Sequence, residues 1–179
     1  LLLGADQIIV GKNITRYRIN EYMRKLKWGS AYTINPISGD KCICLKNHWN
    51  EVGTNGDPLI NGQIGMMLNI RIEEEYPYGT VVIADFLSDD GGLYTDLKID
   101  YNLLVDGKPT INKDNWREFV GFSKLFEFSY GYAITCHKSQ GSEFDRVVVY
   151  DEAFGDDEQK RQWRYTACTR AAKQLVVVV

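Results

Sequence analysis

The stretch Tyr132-Ala133-Ile134-Thr135-Cys136-His137-Lys138-Ser139-Gln140-Gly141-Ser142-Glu143-Phe144-Asp145-Arg146-Val147-Val148-Val149-Tyr150 decides the fold. It begins as a strand, Phe126–Ile134, and passes into a polar turn ending at Ser139-Gln140-Gly141. Arg146–Tyr150 is a Val/Tyr run, the mark of a parallel strand buried on both faces. A strand–turn–strand of this kind predicts an α/β layer, and polar residues where its strands end are where such layers hold ligands. Working outward, Glu158–Ala172 has helical composition, with Trp163, Tyr165, Ala167 and Cys168 as packing candidates. Leu175–Val179 is a further apolar strand, and the chain stops inside it, as a fragment would. At the other end Ile8–Val10 reads as a buried strand and Gly11-Lys12-Asn13 as a turn. Thr15 is an N-cap candidate for a helix over Arg16–Leu26, whose apolar face is Ile19, Tyr22, Met23 and Leu26.

Between these ends the texture changes. Lys41–Trp49, Ile64–Glu73, Thr80–Leu87 and Leu93–Ile99 read as strands. Turns at 53–58, Asn61-Gly62 and Asp89–Gly92 separate them. Short strands at this spacing predict a small β-barrel, and Lys108–Trp116 reads as a linker or short helix leading out. The predicted organisation is an α/β domain over 1–35 and 119–179, interrupted by a barrel over 36–118.

Composition narrows the function. The chain has 179 residues, 44% hydrophobic and 25% charged, which is ordinary for a globular protein. No apolar run approaches the ~18 residues of a membrane span, and Leu1-Leu2-Leu3 is too short for a signal peptide. The formal charge is -3 with pI ≈ 5.4, which excludes a polycation that coats nucleic acid. Charge is nevertheless segregated: Lys12, Arg16, Arg18, Arg24, Lys25 and Lys27 face one acid, Glu21, whereas Asp151–Glu158 is acidic throughout its charged positions. Cys42, Cys44, Cys136 and Cys168 match neither a zinc ribbon nor a redox C-x-x-C, so they read as reduced thiols. His48 and His137 have no metal-ligand spacing. Trp49, Trp116 and Trp163 read as core residues.

Two strings carry chemistry. His137, Lys138, Ser139, Gln140 and Glu143 crowd one turn. In Tyr165-Thr166-Ala167-Cys168-Thr169-Arg170-Ala171 an arginine stands among small residues between helix and strand. Its planar, permanently charged fork suits phosphate. Alone, His137 reads as a turn residue and Arg170 as a helix C-terminal cap; together they read as a ligand site.

AITCHKSQGSEFDRVVV (133–149) resembles motif V of superfamily 1 helicases, and YTACTRA (165–171) resembles their motif VI. IIVGKNITRYRIN (8–20) is similar to the entry strand and helix of the same domain, which carries motif IV. SGDKCICLKN (38–47) with PLINGQIG (58–65) is similar to the small SH3-like barrel inserted in the RecD-like branch, common in bacterial and phage helicases. The resemblance implies a second RecA-like domain of an ATP-dependent DNA helicase, working with ATP, Mg²⁺ and single-stranded DNA in the cytoplasm of a bacterial or phage-infected cell. It implies Arg170 as an arginine finger and Arg16, with Arg18 as the alternative, as a second phosphate-sensing arginine. Glu143 would meet the ribose, with Gln140 and Gly141 shaping the nucleotide side of the turn. Thr135, His137, Lys138 and Ser139 would lie along single-stranded DNA, with Asn61 and Gln63 as barrel contacts. It favours 5′→3′ travel.

The sequence also lacks something. ATP hydrolysis needs a phosphate cradle, a lysine and Mg²⁺ ligands, and no G-x-x-x-x-G-K-[ST] occurs. Val147–Glu152 imitates a Walker B strand but follows motif V, so it reads as a decoy. Phosphate loop and Mg²⁺ ligands are expected in a first RecA-like domain upstream, and this chain alone is expected to be inactive. Other readings remain open: a non-enzymatic single-strand-binding or partner-docking module, or a barrel interaction protein with an α/β scaffold.

Overall fold

In the computed structural model, which describes residues 2–179, the elements follow one another along the chain. They are β1 (Gln7–Val10), α1 (Asn13–Trp28), β2 (Lys41–Cys44), β3 (His48–Val52), β4 (Pro58–Leu59), β5 (Ile64–Glu75), β6 (Gly79–Ser88), β7 (Leu93–Asp100), α2 (Tyr101–Asp106), β8 (Phe128–Tyr130), β9 (Ala133–Thr135), β10 (Phe144–Tyr150), α3 (Asp157–Cys168) and β11 (Ala171–Val178). Leu1 lies outside the described residues. They divide into two compact units, one reaching to Tyr32 and resuming at Tyr132, the other spanning Thr33–Gly131.

The first unit is a parallel sheet in the order β11-β10-β1-β9. All of β1 is buried, as expected of a central strand covered on both faces. Strand alternation sorts its side chains. Ile8 and Val10 join Val148 and Ala133 beneath Ile19 and Met23 of α1. Ile9 joins Val147 and Val149 beneath Trp163 and Ala167 of α3. Each such aliphatic side chain contributes roughly 2 kcal/mol by leaving water.

α1 departs from the apolar face read in the sequence. Tyr22 and Leu26 are exposed, while Asn20 and Arg24 are buried beside Ile19 and Met23. Asn20 is inside for a reason: its amide donates to Ala133 O at 2.9 Å and its oxygen accepts from Ala133 N at 2.9 Å, which locks α1 to the start of β9. Trp163 is in the core, but Trp49 is 66% exposed and Trp116 is exposed as well, so two of the three tryptophans read as core residues are on the surface.

The second unit is a sheet in the order β7-β6-β5-β2-β8. Its edges meet at Phe126, whose N–H donates to Lys98 O at 2.8 Å and whose carbonyl accepts from Asp100 N at 3.0 Å. The sheet is thereby a closed five-stranded barrel around Cys42, Met67, Phe86, Tyr94, Leu97 and Phe128. β3 and β4 form a separate two-stranded ribbon, so the predicted strand Lys41–Trp49 is two strands. Phe126–Ile134, read as one strand, is also two. β8 pairs with β2 in the barrel and β9 with β1 in the parallel sheet. The chain changes unit between Gly131 and Tyr132, which moves the boundary from 119 to 131/132. Gly131 is required there, because a Cβ would stand 2.9 Å from the carbonyl carbon of Cys42.

Candidate functional site

The residues between β9 and β10 make an unusual connection. Both strands are parallel neighbours of β1, with Ile9 level with Ile134 and Val149. Residues 136–143 must therefore return from the C-terminal edge of the sheet to its N-terminal edge, roughly 20 Å at ~3.3 Å per strand residue. They do so through a 3₁₀ turn, Cys136–Ser139, and then Gly141 in the left-handed region at φ +84°. Cys136 is buried against α3, its thiol 3.7 Å from Trp163 O. Ser139 is 0% exposed and its hydroxyl donates to Cys136 O at 2.7 Å. His137 is exposed on the turn and Lys138 is half-buried.

The C-terminal edge thus gathers Thr135, His137 and Lys138 after β9. Lys12 and Asn13 follow β1 at the same edge and are exposed. The sequence reading left these two out; the register of β1 beside β9 brings them in. Glu152, after β10, secures this edge. Its carboxylate accepts from Gly11 N at 3.1 Å, Lys12 N at 3.0 Å and the Thr15 hydroxyl at 2.5 Å. The two amides that lead into α1 are thus held by a residue that follows another strand, and the Thr15 hydroxyl serves Glu152 rather than capping its own helix. Gly11 leaves room for this approach, since a Cβ would lie 2.6 Å from Glu152 O. Asp151 accepts from Arg164 Nε at 2.8 Å. The Walker-B-like Asp-Glu pair is thus engaged within the fold and does not fit Mg²⁺. Among the described residues no cluster of His, Cys, Asp or Glu is placed to hold a metal.

At the N-terminal edge stands Arg170. Its carbonyl accepts from Phe144 N at 2.9 Å, tying the start of β11 to the start of β10. The guanidinium turns back along the chain: Nη1 donates to Ser142 O at 3.0 Å, Nε to Thr166 O at 3.1 Å and Nη2 to Thr169 Oγ1 at 3.1 Å. Every one of these partners is neutral, so the charge is oriented without being neutralised. Glu143 is exposed beside this group, next to Ser142. Burial pushes the Cys136 thiol up, with Arg170 offsetting part of the effect, and burial also raises Cys168. Both remain inert thiols at neutral pH.

The structure regroups several predicted residues. Arg16 lies in the first turn of α1, at the C-terminal edge, 4.5 Å over the ring of Tyr17. Arg170 stands at the opposite edge, before β11. Gln140 lines a cleft with His137 and with Gln159, Gln162, Trp163 and Thr166 of α3. Ser139 shapes the turn from inside. Asn61 and Gln63 belong to the barrel unit. Gln63 is engaged there by Asp90 at 3.0 Å and by Tyr94 OH at 3.2 Å, and Asn61 N donates to Asn47 Oδ1 at 2.8 Å.

Residues 130–178 match the family described as UvrD-like helicase C-terminal domain. That stretch holds Thr135, His137, Lys138, Glu143 and Arg170. Among solved structures the chain is similar to the Pif1 helicase from Bacteroides in complex with ADP-AlF3 and single-stranded DNA. The TM-score is 0.57 at 14% identity, over 97% of this chain and 40% of that one. It is also similar to the Pif1 helicase from Candida albicans, with TM-score 0.54 at 16% identity, over 96% of this chain and 44% of that one. The mixed α/β fold with its parallel sheet is that of the RecA-like C-terminal domain of these helicases. An uncharacterized protein of Methanocaldococcus jannaschii is 43% identical over 70 residues, 39% of this chain and 6% of its own length. The chain therefore spans less than half of each of these solved helicase chains and a small part of the archaeal relative.

Proposed function

We propose that the α/β unit is the second RecA-like domain of a superfamily 1 DNA helicase of the RecD-like type, which couples ATP hydrolysis to movement on single-stranded DNA and duplex unwinding. One observation carries this reading: a charged, unneutralised Arg170 beside Glu143 at one end of residues 136–143, and Thr135, His137 and Lys138 at the other. A single connection joins a phosphate-seeking group to an exposed polar edge.

ATP lies between a first RecA-like domain and the N-terminal edge of this sheet. Closure brings Arg170 to the γ-phosphate, where a planar fork stabilises charge that a lysine meets only as a point. Glu143 accepts from the ribose hydroxyls. At the other edge Lys138 and Lys12 meet DNA phosphates, while Thr135, Asn13 and His137 supply hydrogen bonds. The turn transmits the nucleotide-driven movement because Ser139 and Cys136 make it rigid and Gly141 lets it bend. The barrel, through Asn61, adds a DNA contact. The phosphate cradle and the Mg²⁺ ligands belong to the first domain.

The test has two stages. The chain alone binds a labelled single strand weakly and with a shallow salt dependence, about -0.7 in log–log slope per phosphate contact, and turns over no ATP. In the helicase containing both RecA-like domains, Arg170→Ala lowers ATP turnover by about 10³-fold while the enzyme stays folded, at the modest cost in melting temperature of losing its hydrogen bonds to Ser142, Thr166 and Thr169, and Arg170→Lys rescues little. His137→Ala lowers DNA-stimulated turnover more than basal turnover. Near-normal turnover in Arg170→Ala combined with a melting temperature several degrees lower would identify a capping residue and overturn the assignment.

A further inference from the structure

The cleft that holds Gln140 is lined also by Cys136, His137, Phe154, Gln159, Gln162, Trp163 and Thr166, and encloses about 290 Å³. It lies within the α/β unit, between the 3₁₀ turn and α3. Its chemistry differs from that of the surrounding edge. Among its lining residues there is no carboxylate, lysine or arginine. Phe154 is 55% exposed at the cleft, and the largely buried Trp163 lines it from the core side. The amides are partly engaged, and in a complementary way. Gln159 Oε1 accepts from Asp156 N at 3.0 Å in the capping box of α3, which leaves its Nε2 to donate. Gln162 Nε2 reaches Glu158 at 3.4 Å, which leaves its Oε1 to accept. A recess with aromatic walls, a free amide donor and a free amide acceptor offers phosphate no lysine or arginine. It suits a flat, neutral heterocycle that carries donors and acceptors on its edge.

We propose that this cleft receives one nucleobase of the single strand whose backbone crosses the His137–Lys138 turn, packed against Phe154 and Trp163 and hydrogen-bonded along its edge by Gln159 and Gln162. The site rests on the nucleic-acid reading given above and adds to it a base-dependent component where only backbone contacts were assigned. Amides that offer one donor and one acceptor accommodate more than one base, so the grip is base-requiring without being sequence-specific. The cleft also reaches the nucleotide side. Thr166 lines it and its carbonyl holds Arg170 Nε at 3.1 Å. A seated base is therefore one helical turn from the arginine.

The probe is a short fluorescein-labelled oligothymidylate, compared by anisotropy at low salt with an abasic strand of the same length and charge. The wild-type chain binds the base-bearing strand about tenfold more tightly, the order expected of one stacked base. Phe154→Ala and Gln162→Ala each reduce that preference to about twofold and leave the abasic affinity unchanged. Both residues are on the surface, so melting temperatures stay at the wild-type value and report that the variants are folded. Equal binding of the two strands by the wild-type chain, or a preference retained in both variants, overturns the cleft and leaves the backbone contacts standing. Failure of the wild-type chain to bind either strand overturns the nucleic-acid reading itself.

Discussion

Asn20 shows how much one side chain decides here. It is 3% exposed on an otherwise amphipathic helix, and both of its hydrogen bonds go to the backbone of Ala133. Asn20→Ala would leave a buried N–H and a buried C=O without that partner, at about 1–3 kcal/mol for an unsatisfied group. We expect a loss of about 2–4 kcal/mol in urea denaturation, a large share of the stability of an ordinary domain. A loss under half a kilocalorie would mean that water replaces the amide. The same residue explains a limit of the sequence. Asn20 reads as polar and therefore outward, and its partner lies 113 positions away. The place of Arg170 between a helix and a strand was legible from the small residues around it, and it does stand between the end of α3 and the start of β11. The place of Arg16 was not, because a helix start fixes which sheet edge a residue occupies only once the strand before it is placed. Nor does a serine's letter reveal that Ser139 turns inward.

Among elements, β3 offers a test by pH. His48 packs against Phe126 with ring centroids 4.5 Å apart, and its Nε2 is buried with no hydrogen-bond partner among the described residues. Burial holds its pKa below the ordinary histidine value; Glu127 works against this, and Lys46 and Lys124 reinforce it. The unfolded chain then binds a proton that the folded barrel refuses, so stability rises with pH between the lowered folded value and about 6.5. Denaturation midpoints in urea should fall on going from about pH 7.5 to about pH 5.5, and His48→Gln should flatten that part of the profile. A wild-type midpoint that is unchanged or higher at the acid end would contradict the burial. Elements also separate what is legible from what is not. Glu158–Ala172 was legible as a helix from its composition, but its ends were not: a capping box of Asp156 and Gln159 starts α3 at Asp157, and the helix stops at Cys168, leaving Ala171 and Ala172 to β11. Phe126–Ile134 carries no such mark. Its composition is that of a single strand, and only pairing shows that β8 and β9 serve different sheets. Trp49 fails for a related reason: strand propensity places it on β3 but does not say which face of a two-stranded ribbon meets solvent.

At the scale of the whole molecule, the α/β ends and the strand-rich middle were legible because hydrophobic periodicity changes from helix-like to strand-like and back. The exit boundary was not, since the change of unit takes place inside an apolar run. The same connectivity governs how the chain folds. β1 finds its neighbours more than a hundred residues downstream, Ile8 beside Ala133 and Gln7 beside Val147. In the barrel, β5 pairs with β6 and β6 with β7, each with its immediate successor. Within the barrel Gly131 N donates to Lys41 O at 2.8 Å, so a formed barrel holds its own entrance and exit side by side. That shortens the span β1 must close from roughly 120 residues to roughly 35, a saving of about 1 kcal/mol in loop entropy. Order of assembly follows: hairpins first, barrel closure second, parallel sheet last. In pulse-labelling hydrogen exchange, amides of Val81–Phe86 should gain protection before those of Ile8–Val10; simultaneous protection would refute the sequence of events. Gly65→Ala, whose Cβ would lie 2.2 Å from Leu87 O inside the barrel, should then delay a sheet it never touches. The insertion is thus a folding template for the layer that it interrupts.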